Sequence, residues 1–104
     1  MSTAAQLLVD VKDRLGVTWS DTVTDSRLKN FIEAGKAYLN DKLGCEGNYL
    51  VPGYPRTLLM EFVRYARDDA LEVFEENYRS MILAMQNERA VAGDAYAQAN
   101  QKNE

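Results

Sequence analysis

Histidine is absent from this 104-residue chain, and cysteine and tryptophan occur once each. Without histidine there is no histidine-based triad and no imidazole metal ligand. The sole cysteine, Cys45, excludes an internal disulfide, and no histidine exists to activate its thiol. No apolar run approaches the ~20 residues of a membrane-spanning helix. No basic and apolar leader opens the chain, so synthesis in the cytoplasm is expected. Neither a glycine-rich phosphate loop nor a dinucleotide fingerprint occurs. A basic footprint for nucleic acid is missing too, because 12 Lys and Arg against 16 Asp and Glu leave a net charge of −4. Residues 1–43 carry six basic and six acidic side chains, whereas 44–104 carry six and ten.

What is present is helical periodicity, in a chain of the length of one small domain. Thr3 and Gln6 form a capping-box pattern ahead of Leu7, Leu8, Val11 and Leu15, and Gly16 ends that helix. A connector, 17–23, follows, with Trp19 as its one large anchor. The indole is expected to close one end of the core, and the alternative is a surface aromatic used in a contact. The second helix starts near Thr24. It carries Leu28, Phe31, Ile32, Gly35, Leu39 and Leu43 on its buried stripe and stops at Gly44. Gly35 costs about 1 kcal/mol of helix propensity, which close approach of another helix would explain.

Pro55 to Arg89 contains no glycine and no proline after its first residue. Leu59, Phe62, Val63, Ala66, Ala70, Val73, Phe74, Asn77, Met81 and Met85 recur three or four apart. Unbroken, this stretch would be about 50 Å long, against roughly 33 Å for a compact domain of this size. Either it breaks, with Asn77–Ser80 the expected place, or its end packs on another chain. The sequence therefore predicts an all-α fold, a small bundle of three main helices (possibly four) with a long third helix. The helical domain spans 1–90. The small, polar segment 91–104 is expected to be a flexible tail interrupted by Gly93 and ordered on a partner.

Three groups of residues stand out as candidate sites. Tyr49, Leu50, Val51 and Tyr54 make the glycine-rich loop 44–54 unusually apolar, either as a cover for the core or as a docking surface. Asp68, Asp69, Glu72, Glu75 and Glu76 fall on the outer face of the long helix. Arg64 could relieve Asp68 and Arg79 could relieve Glu75, and the rest would be a solvated face, a site for a basic partner or a wall that repels phosphates. Asn87, Arg89, Val91 and Tyr96 belong to the tail region. Carboxylates on an outer helix face, without a pocket or a calcium-loop spacing, do not predict catalysis or a metal site. No enzyme activity and no cofactor are expected.

The order of parts is also informative: Leu15-Gly16-Val17, then Leu28 to Leu39, a glycine-rich loop, and Arg64-Tyr65-Ala66-Arg67 followed by Ala70-Leu71 and Phe74-Glu75-Glu76-Asn77-Tyr78. Over roughly residues 7–90 this resembles the head–tail connector (head-completion adaptor) proteins of long-tailed phages and prophages. The resemblance implies a helical virion protein without catalytic residues. Its copies would form a ring, dodecameric in the virion, beneath the portal, extending the DNA channel and receiving a stopper or tail-completion protein. DNA would pass through without sequence-specific binding, and no membrane would be involved. The C-terminal segment, here about 87–104, would grip the portal. The alternative from the residues alone is a small acidic helical regulator that binds another protein or mimics DNA. A DNA-binding helical domain is disfavoured, because the longest helical stretch is acidic.

Overall fold

The computed structural model describes the backbone of residues 3–102 and the side chains of residues 5–91. Among the described residues it contains four α-helices and no strand. They are α1 (Thr3–Leu15), α2 (Thr22–Leu43), α3 (Tyr54–Arg67) and α4 (Phe74–Lys102), with a 3-10 turn at Leu71–Val73 leading into α4. The fold is all-α, as the periodicity predicts, but it has four helices rather than three main ones.

The extra helix arises because the stretch Pro55–Arg89 is two helices. The break falls at Asp68–Val73, not at Asn77–Ser80. The Ala70 N–H donates to the Tyr65 carbonyl at 2.8 Å, and the Asp69 N–H donates to that of Ala66 at 3.1 Å. These two bonds close α3 in a Schellman motif, with Asp69 in the left-handed region at φ 56°. Glycine usually takes that position, but aspartate tolerates it better than most residues. A continuous helix would carry Phe74 off the end of the bundle. The reversal instead buries it against Phe62, Tyr65 and Tyr78, with ring centroids 5.4, 5.6 and 5.1 Å away. Burying such a side chain is worth about 1.5–3 kcal/mol.

The break also shifts the register of the buried stripe. Among the described side chains of α4 the buried apolar residues are Phe74, Ile82 and Met85. Asn77 is exposed and donates to the Tyr65 hydroxyl at 3.1 Å. Ile82 lies off the predicted stripe, because a single helical period does not continue across the turn.

The same closing geometry ends α1. The Val17 N–H donates to the Lys12 carbonyl at 2.8 Å, and Gly16 takes φ 74°. This motif turns its next apolar residue inward, so Val17 closes that end of the core and Trp19 remains exposed. The expected core role of Trp19 is thereby corrected. Helix α2 opens at Thr22 rather than near Thr24. Its N-cap is Asp21, which accepts from the Thr24 hydroxyl at 2.9 Å and from the Thr24 N–H at 3.3 Å. These bonds hold the Asp21 carboxyl below its usual range. The Thr3 side chain lies outside the described residues; Gln6 donates to Asp10 at 3.0 Å.

Leu28, Ile32 and Leu39 of α2 meet Leu58, Leu59, Phe62 and Val63 of α3, with Leu7 and Val11 of α1 completing the core. Gly35 sits where the helices approach most closely. A Cβ there would lie 2.8 Å from both Leu59 Cδ1 and Phe62 Cδ1. The approach expected from the lone glycine is thus present.

Among the described residues Glu61 is the one buried charged side chain, at 7% exposure. It accepts from Arg14 on α1 and from Arg64 on α3, both at 2.7 Å. Arg64 therefore serves Glu61, not Asp68. Burial alone would raise the Glu61 carboxyl. The bonds from Arg64 and Arg14 outweigh it and hold the group below the usual carboxylate range.

Helix α4 runs on for 29 residues, through Gly93 to Lys102. Gly93 does not interrupt it. The cost of one glycine, about 1 kcal/mol, is offset by neighbouring alanines, the best helix formers. From Met85, the last buried residue among the described side chains, to Lys102 is about 25 Å of helix. The extents of the molecule, 55 × 34 × 18 Å, reflect that projection.

Two substitutions test this packing. Gly35→Ala is expected to lower stability by about 1 kcal/mol, since overpacking costs of 1–3 kcal/mol exceed the gain in propensity; urea unfolding measures it. Glu61→Gln should cost about 1.5 kcal/mol at neutral pH, the low end for a charged hydrogen bond, because both arginines can rehydrate. The folded-state carboxyl is held low. Its contribution is therefore complete above the unfolded value near pH 4.3 and is lost as pH falls through the lower folded value. The gap in Tm between wild type and Glu61→Gln should be level between about pH 5 and 7 and close below about pH 4.

Candidate functional site

The four helices run up, down, up, down. Lys12 pairs with Asp25 at 2.9 Å, which sets the end of α1 beside the start of α2. Asp10 pairs with Arg56 and Arg14 with Glu61, so α1 and α3 run parallel. Gln86 donates to the Lys42 carbonyl at 3.0 Å, which brings α4 down to the end of α2. One pole of the bundle therefore holds the loop after α2 and the projecting part of α4. The other holds the 16–21 connector and the 68–73 turn.

At the first pole the loop is pinned by one side chain. Asn40 Oδ1 accepts from the Gly47 N–H at 2.9 Å and from the Tyr49 hydroxyl at 2.5 Å. Arg56 Nη1 donates to the Tyr49 carbonyl at 3.2 Å. Tyr49 is buried, at 3% exposure, and burial first, then the nearby Cys45 and Glu46, pushes its phenol up to about 12. The apolar quartet thus divides. Tyr49 belongs to the core and Tyr54 is half-buried against it, whereas Leu50 and Val51 stand 41% and 49% exposed.

Beside them is a cleft of about 490 Å³, bounded by Cys45 and Gly47 of the loop, Pro55 of α3, and Met85 and Arg89 of α4. It joins two surfaces that the sequence left separate, the loop and the start of the C-terminal segment. No spacing in the sequence signals this, because the two walls are about forty residues apart. Asn87, Arg89 and Val91 are exposed on α4. The side chain of Tyr96 lies outside the described residues.

The acidic candidates are not one helical face. Asp68 follows the end of α3, Glu72 lies in the 3-10 turn, and Glu75 and Glu76 occupy the first turn of α4. All four are exposed. Asp68 and Glu72 share no helix, so they are not i, i+4 neighbours on one helical face. Glu75 and Glu76 complement the positive end of the α4 dipole. Glu75 is also neutralised: Lys42 Nζ lies at 2.8 Å and the Tyr38 hydroxyl donates at 2.6 Å. Lys42 first, then Tyr38, holds its carboxyl below the usual range. Arg79, the expected partner, forms no ion pair with it. Burial and the Glu75 charge in turn push the Tyr38 phenol upward.

No group of His, Cys, Asp and Glu among the described residues is placed to hold a metal ion. No family model matches the chain, and no curated protein or solved structure matches it.

Because Asn40 holds the loop after α2, Asn40→Ala should leave the buried Tyr49 hydroxyl unsatisfied and cost about 1–3 kcal/mol. Faster hydrogen exchange at residues 45–51, with α1 and α3 unchanged, would distinguish a loosened loop from general unfolding.

Proposed function

We propose that this chain is a head–tail connector (adaptor) protein of a long-tailed phage or prophage. In this reading its copies form a ring, dodecameric in the virion, beneath the portal. The ring extends the DNA channel and joins the capsid to a stopper or tail-completion protein. The site of action is the head–tail interface of the virion, and no catalysis is involved.

The observation that carries the reading is the projection of α4. A helix that runs about 25 Å beyond Met85, the last buried residue among the described side chains, has little reason to persist in isolation, since helical stability in proteins comes chiefly from packing. Exposed Leu50 and Val51 and the neighbouring cleft give the same pole a surface on which a partner could seat. The bundle also presents a second, different pole, as an adaptor between two partners requires.

The most specific residues of the resemblance build the α3–α4 reversal. Tyr65, Phe74 and Tyr78 form its aromatic cluster, and Ala66 is buried behind them. They therefore support a shared architecture more directly than a shared interface. The alternative, an acidic regulator or DNA mimic, draws less support. Its acidic residues are scattered over three short segments, and Glu75 is already paired.

The test is an affinity pull-down from cells in which the source phage is assembling, with full-length bait and a 1–86 truncation. The full chain should recover a portal protein or a stopper. The truncation, still helical by circular dichroism, should lose the portal. Recovery of non-virion proteins alone would overturn the reading. Equal recovery of the portal by both baits would remove the projecting helix from it.

A further inference from the structure

At the pole opposite the projecting helix, Trp19 is 51% exposed beside the start of α2. With Thr24, Arg27, Phe31 and Arg67 it lines a cleft of about 180 Å³. The Arg27 guanidinium lies 5.9 Å from the centre of the Phe31 ring, which restrains it along the cleft wall. Lys12, Arg14, Lys36, Lys42, Arg56 and Arg64 all pair with carboxylates of the chain. Arg27 and Arg67 form no ion pair among the described residues.

We propose that this cleft docks a segment of a partner protein that presents one carboxylate beside an apolar side chain. Two arginines lining one cleft suit a carboxylate, which arginine binds through paired N–H donors. Trp19 and Phe31 supply the apolar wall. Tryptophan and arginine are also the side chains that most often dominate binding energy at protein interfaces. The cleft is smaller than the roughly 300–1,000 Å³ of ordinary small-molecule sites, so it fits one or two side chains, not a cofactor. A nucleic-acid backbone fits less well. Its charges repeat along the strand and would meet the exposed Asp68 and Asp69 directly after Arg67. A single carboxylate flanked by apolar atoms avoids most of that repulsion. The inference does not depend on the connector reading, since it concerns the other pole and any partner of this chemistry.

Trp19 is the only tryptophan, so its fluorescence reports on this cleft alone. The probes are the blocked peptide acetyl-Gly-Ser-Leu-Glu-Phe-Ser-Gly-amide, its Gln counterpart, and a short oligothymidylate. The Glu peptide should shift the emission to the blue and saturate. The Gln peptide should bind about tenfold more weakly or worse, as loss of a charged hydrogen bond implies. Arg27→Glu and Arg67→Glu should each weaken the Glu peptide by about tenfold or more with helicity unchanged. Raising salt from ~0.05 to ~0.5 M should weaken it further. Equal binding of both peptides, insensitivity to both arginine variants, tighter binding of oligothymidylate, or no emission change up to millimolar peptide would each overturn the proposal.

Discussion

The reversal at Asp69 governs the rest of the architecture. Two backbone hydrogen bonds and one left-handed residue stop α3 at Arg67, and the 3-10 turn sends Phe74 back onto the rings of Phe62 and Tyr65. That aromatic contact sets the height and phase of α4. From them follow the burial of Ile82 and Met85, the bond from Gln86 to α2, and the point at which α4 leaves the bundle. The same phase places Arg89 against the loop after α2, so the larger cleft is itself a consequence of the turn.

Part of the charge in this chain is architectural. Glu61 spans two arginines between α1 and α3, Asp21 caps α2, and Glu75 ties the start of α4 to Tyr38 and Lys42 of α2. Each carboxylate is held in its ionised form by its partners, and Glu61 and Glu75 also tie together helices that are separate along the chain. The excess acid in the second half of the chain therefore overstates the size of any acidic surface. The exposed arginines at the Trp19 cleft are available to a partner, because six other cations of the bundle are already committed to carboxylates.

The two poles differ in character. One combines a pinned loop, exposed aliphatic side chains and a long projecting helix. The other combines an indole, two arginines and a short acidic turn. A bundle with distinct ends is suited to stand between two different partners, and the proposed connector role draws on that asymmetry, not on any chemistry within the chain.

The sequence by itself determined the helical class, the stop at Gly44, the α2 stripe and the meaning of Gly35, because those depend on local periodicity and on one residue without a side chain. It placed the loop and the C-terminal segment among the candidate surfaces for the same reason: both are apolar or polar where a local rule expects otherwise. Tertiary structure alone decided where the long stretch breaks. Asp68-Asp69 carries no glycine to mark a stop, and its left-handed turn is favoured only once Phe74 finds the α3 rings. Tertiary structure also put Val17 rather than Trp19 into the core, divided Tyr49 from Leu50 and Val51, and gave Glu61 its two arginines. The Arg14–Glu61 pair and the return of Phe74 onto Phe62 and Tyr65 rest on contacts made across separate elements, and such contacts leave no trace in periodicity.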